Sequence, residues 1–181
     1  MTRKIALPLT IGGIVIAVFL ICFLYIARGY EVNLEGLKYQ LGQAHVQVSE
    51  SALIKIEGKV KKSITGQKTF IGTIEIAGDD NPVPEKYRKL EIKLQSDDSG
   101  IIIYNYNDNG IPVMYSYGTL YTNSDFSEVT IAIFDRKEQS SSGIWTAEDG
   151  LMFSAPASSR EEALAISNRR MSRVLQGTSL E

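Results

Sequence analysis

Two hydrophobic patterns divide this chain. From Ile5 to Ala27 it reads IALPLTIGGIVIAVFLICFLYIA, apolar on every side and without a charged residue. Beyond Gln43, short stretches alternate between apolar and polar residues and are separated by turn clusters. The first pattern leaves no polar stripe to face water, and as a helix rising about 1.5 Å per residue it is roughly 34 Å long, enough to cross a bilayer. It predicts one transmembrane helix over 5–27 behind a stub of residues 1–4. The apolar run is longer than a cleavable signal core, and bulky Tyr25 two positions before Ala27 spoils a peptidase site, so an uncleaved anchor is expected. Cys22 follows Phe19, Leu20 and Ile21, without the small residue that precedes a lipidated cysteine, and reads as apolar filler. Arg3, Lys4 and the amino terminus outweigh Arg28 and Lys38, which predicts a cytoplasmic stub and an outer remainder. Gly13 and Ala17 form a small-xxx-small pair through which two spans approach closely, leaving a homo-oligomer open.

The juxtamembrane stretch, residues 28–43, and the residues that follow it to Ser49 carry both periods. Leu34, Leu37, Leu41, Ala44 and Val48 keep a helical 3-4 spacing, while Ala44, Val46 and Val48 alternate. Gly36 and Gly42 each cost a helix about 1 kcal/mol relative to Ala. The expectation is an interrupted helix or juxtamembrane stalk to about Leu41, with a strand after it.

Residues 44–181 read as a β-rich α+β domain, an antiparallel sheet or sandwich of about eight strands with one C-terminal helix packed on it. Ile54, Ile56 and Val60 alternate with Lys55, Glu57 and Lys59. Phe70, Ile74 and Ile76 alternate with Thr69, Thr73 and Glu75. Leu90, Ile92 and Leu94 alternate with Lys89, Glu91 and Lys93, and Val129, Ile131 and Ile133 continue the series. Asn109-Gly110 predicts a two-residue type I′ hairpin, because both residues tolerate positive φ. That loop places Tyr106 opposite Val113, Tyr104 opposite Tyr115 and Ile102 opposite Tyr117, all on one side. Ser158 and Ser159 with Glu161 and Glu162 announce a helix over 160–175. Its expected inward stripe is Ala163, Leu164, Ser167, Met171, Val174 and Leu175, with Gly177 as the stop.

Composition then narrows the chemistry. The 181 residues have room for one globular domain beside the span. One Cys and one His exclude a disulfide framework, a Cys/His zinc site and a Cys–His catalytic pair. Beyond Arg28 there are 16 Lys plus Arg against 21 Asp plus Glu, a balance that argues against nucleic acid and anionic surfaces as partners. Asn105, Asn107, Asn109 and Gly110 resemble the start of a calcium loop, but Ser116 stands where a bidentate Glu is needed, and a plain hairpin fits better. Asp79-Asp80 and Asp97-Asp98 sit in turn clusters and read as solvated turn residues, with a surface calcium site or an acid/base pair as the alternative. His45 has no partner ligand and reads as an edge residue. The Ser-Met-x-Pro segment of a membrane signal peptidase, the outer thiol of a sortase and the Gly-Phe leader junction of a type IV pilin are all missing.

No metal, cofactor or catalytic residue is expected. Tyr104, Tyr106, Tyr115 and Tyr117 form an aromatic cluster that would stack on a ligand if exposed, or fill a core beneath the helix or inside a sandwich. The expected function is a membrane-anchored, non-enzymatic domain outside the cytoplasm that binds an envelope or membrane protein. A ligand-sensing tyrosine face and a carboxylate- or metal-dependent hydrolase are the alternatives.

Overall fold

The computed structural model describes residues 27–134 and 145–181, so the expected span over 5–27 lies, apart from Ala27, outside the described residues. Among the described residues no helix is long and apolar enough to cross a membrane.

Eight strands form one antiparallel sheet: β1 (Arg28–Gln40), β2 (Ser49–Lys62), β3 (Lys68–Ile76), β4 (Leu90–Leu94), β5 (Ser99–Asp108), β6 (Ile111–Thr122), β7 (Val129–Ile133) and β8 (Leu151–Ala155). Their order is β4-β3-β2-β1-β8-β7-β6-β5. The two outermost strands, β4 and β5, are consecutive in the chain and lie side by side. Gln95 N–H donates to the Ser99 carbonyl across the turn joining them. The sheet therefore curls until its edges meet, giving a nearly closed barrel in place of two packed sheets. Gly100 permits this closure, since a Cβ there would meet the Ile92 side chain at 2.4 Å.

Alternation sorts the side chains. Ile54 and Ile56 of β2, Phe70 and Ile74 of β3, Ile92 of β4, Ile102 of β5, Leu120 of β6, Ile131 of β7 and Phe153 of β8 fill the interior. On the outer face Leu37, Tyr39, Tyr121, Ala132 and Met152 are covered by α1 (Arg160–Arg170) and α2 (Ser172–Leu175). The helix packs on the sheet as expected. Ser159 caps it by accepting the Glu162 N–H, and the Glu162 carboxylate accepts the Ser158 N–H in return. Under the helix four hydroxyls share hydrogen bonds, with Ser167 Oγ 2.6 Å from Tyr39 OH and 2.7 Å from Ser154 Oγ, and Thr130 Oγ1 3.1 Å from Ser154 Oγ. A single helix over 160–175 is corrected to two pieces broken at Met171. The break turns Val174 out to 53% exposure while Leu175 stays buried, and Ile166 joins the buried stripe.

The stalk over 28–43 is also corrected, because residues 28–40 are strand β1, paired with β2 along almost its whole length. Tyr30, Val32 and Leu34 face the interior, but from Leu37 onward the outer face is covered too, so Leu37, Tyr39 and Leu41 are buried on that side. The switch of buried face at Gly36 sets Leu34 and Leu37 three apart, the step that resembles a helix, whereas Ala44, Val46 and Val48 are exposed in the turn before β2, which corrects the strand expected there. A Cβ on Gly36 would come within 2.6 Å of the Phe153 ring and the Ser154 carbonyl, so glycine serves close strand packing there.

Candidate functional site

The interior of the barrel ends in two different surfaces. At the distal end, where β1 finishes, the Asn109-Gly110 hairpin forms as expected, with φ of 50° and 91° at its two residues. Tyr106 stands opposite Val113 and Tyr104 opposite Tyr115. The pairing of Ile102 with Tyr117 is corrected: a bulge shifts the register between Ile102 and Ile103, so Ile102 pairs with Gly118. The extra residue is Tyr117, whose ring still turns inward. All four tyrosines thus lie on the interior side, away from the helix. Tyr104 and Tyr117 are buried, whereas Tyr106 and Tyr115 are half-buried. Tyr106 stacks on Tyr87 at 4.9 Å.

These rings enclose polar groups. Lys38 Nζ lies 2.6 Å from Asp79 Oδ1, and the Tyr117 hydroxyl donates to Asp79 Oδ2 at 2.9 Å. Asn81 donates to the Tyr104 hydroxyl, and Arg88 holds the loop between β3 and β4 through the Val83 and Asn81 carbonyls. Burial pushes the Tyr117 phenol far above its ordinary range, and the adjacent Asp79 carboxylate adds to the shift. Burial also raises Tyr104. The reading of Asp79 as a solvated turn residue is corrected: it sits in a turn, but its side chain is only 11% exposed and faces the interior. The cavity beside it is about 30 Å³, room for about one water. This end is plugged by its own loop.

Among the described residues the proximal end, where β1 begins, is open. A cavity of about 270 Å³ lies there. Its floor is Tyr30, Val60 and Phe126, with the Phe126 ring 5.0 Å from Tyr30 and 5.3 Å from Phe70. Phe126 reaches this position from the β6–β7 turn with φ of 60°, a backbone region that bulky side chains avoid. The rim carries Arg28, Lys62, Lys68 and Asp98. Lys68 Nζ is 2.7 Å from Asp98 Oδ1, whereas Arg28 and Lys62 have no ionic partner among the described residues. Lys62 and Lys68 belong to no motif of the sequence. Their signal was present in the alternation: Lys62 shares the inward phase of Ile54, Ile56 and Val60, and Lys68 that of Phe70 and Ile74.

No protein family, curated protein or solved structure matches this chain.

The remaining candidates are separate from both ends or already engaged. Asn107 Oδ1 accepts the Gly110 N–H and serves the hairpin turn. Asp97 accepts from Ser99, and these bonds hold its carboxyl below the usual range despite opposing burial. His45 lies in a short 3-10 turn over Gln43–His45. Among the described residues no three His, Cys, Asp or Glu side chains converge on a metal position. A wider groove of about 750 Å³ runs on the outer face between Leu53 and Pro156, open to solvent, and its Glu162 already caps the helix.

Proposed function

We propose that this chain is a membrane-anchored, non-enzymatic binding domain that carries its barrel on the outer face of a cell membrane and binds through the proximal mouth. The uncharged run over 5–27 supports the anchor, and the excess of basic residues before it supports the orientation. One observation carries the reading: β1 begins at Arg28, directly after the apolar run, so no linker separates the open, cation-rimmed cavity from the bilayer surface. At the distal end Lys38 and Tyr117 saturate Asp79 within packed aromatic rings, an arrangement that favours holding the loop over a catalytic role.

The protein partner expected from the sequence becomes the second reading, favoured by Ile111 and Met114, which are 67% and 61% exposed on the β5–β6 hairpin. The decisive experiment is fractionation of cells producing the full chain, combined with protease added to intact cells. The expected result is retention in carbonate-washed membranes with digestion of residues beyond 28. Recovery of the chain in the soluble fraction, or full protection from protease, would overturn the proposal.

A further inference from the structure

Charge at the proximal mouth is arranged against the stability of the sheet. Lys62 and Lys68 stand directly opposite each other in the β2–β3 ladder, both in the inward phase, and like charges so placed repel. Arg28, in the same phase, pairs with Val60 on the other side of β2. Among the described residues one carboxylate at the mouth, Asp98, answers these three cations and is taken up by Lys68. Among the described residues the mouth therefore keeps two uncompensated positive charges, although acids exceed bases beyond Arg28. Net charge argues against an anionic partner, but local placement reverses that argument at this one point.

Below the charges the lining changes character. Tyr30, Val60 and Phe126 offer aromatic and aliphatic surface and no ionised group. A contact made only with a charged surface would need no such floor. An inorganic anion would leave it wet and unused, whereas an amphiphile would use both levels at once. About 270 Å³ is at the low end for a small-molecule site, suited to a headgroup and a few methylenes and not to a whole diacyl lipid.

We infer that the mouth binds an anionic lipid of the adjoining bilayer. Arg28 and Lys62 hold its head by charge-assisted hydrogen bonds, and Tyr30, Val60 and Phe126 take the first part of one acyl chain. The inference rests on the membrane reading above, which makes the bilayer the source of the ligand.

The test uses the full chain reconstituted into phosphatidylcholine vesicles that contain a minor fraction of phosphatidic acid bearing a diazirine close to the head of one acyl chain. After irradiation, the chain should float with the vesicles and carry label on the peptides containing Tyr30, Val60 or Phe126. A matching phosphatidylcholine probe should label these peptides several-fold less. The Arg28→Gln/Lys62→Gln variant, altered only at exposed rim positions, should lose roughly tenfold in labelling. Val60→Trp, which fills the cavity and keeps the charges, should lose it as well. Floating with label confined to residues 5–27 would overturn the lipid site while sparing the anchor. Failure to float would overturn the anchor and the lipid site with it. Loss of mouth labelling in excess inorganic phosphate would assign the site to a free anion and overturn the lipid proposal.

Discussion

Lys38 Nζ sits 2.6 Å from Asp79 Oδ1 at the distal end of the barrel, with side chains 24% and 11% exposed. The pair joins β1 to the loop between β3 and β4, residues that are 41 positions apart. Removing one partner leaves the other charge largely desolvated. Asp79→Asn should lower unfolding stability by roughly 3 kcal/mol, and Lys38→Met/Asp79→Leu/Tyr117→Phe should recover much of that loss, because apolar replacement of all three groups leaves neither a stranded charge nor an unpaired buried hydroxyl. Urea titration of both variants beside the parent checks this; a combined variant no better than the single one would count against it.

Tyr104 and Tyr106 belong to one strand and one face but differ in burial, 2% against half-buried. Tyr104→Ala should cost roughly 3 kcal/mol, as expected for a large ring removed from a packed interior. Tyr106→Ala, which loses its stack on Tyr87 and less burial, should cost about 1 kcal/mol. Thermal midpoints report the difference, and an unchanged midpoint for Tyr104→Ala would mean that its ring is free to meet a ligand.

Tyr117 gives the domain an alkaline limit. An unfolded tyrosine releases its proton near pH 10, whereas burial and the Asp79 carboxylate keep the folded phenol protonated to far higher pH. The folded state then binds more protons than the unfolded one, so stability is fully present below about pH 10 and falls as pH rises above it. Tyr117→Phe should reduce the steepness of that fall by about 1.4 kcal/mol per pH unit. Stability measured between about pH 10 and 11.5 decides the matter.

Lys62 is placed for binding and not for stability. Lys62→Gln removes the repulsion across from Lys68 and should raise stability by a few tenths of a kcal/mol, up to about 1. The same substitution should weaken labelling by the anionic lipid probe. A variant that is both less stable and equally labelled would contradict the assignment of the mouth.

Much of the fold was legible along the chain. Ile54, Phe70, Ile92 and Ile131 each recur at period two between turn residues, and every one of them points into the barrel. Asn109-Gly110 and Ser159 act locally, through backbone geometry and end amides, so their roles could be read without knowing any distant contact. β1 misled because two faces of one strand are buried in succession. Its pattern records two separate partners, the barrel interior and the helix, and periodicity assumes one.

The candidate sites divide in the same way. The sequence by itself determined which residues are apolar and where they recur: the uncharged run over 5–27, the strand phases, the helix start and the scarcity of Cys and His. Only the tertiary structure decided that Asp79 turns inward to Lys38, that Tyr117 becomes the extra residue of a bulge, and that Arg28 meets Lys62 and Lys68 around one cavity. The physical reason is that local pattern follows from neighbours a few bonds away, whereas curling of the sheet joins residues across the chain. Charge placed at an inward phase gains its meaning only when the strands that surround it have closed.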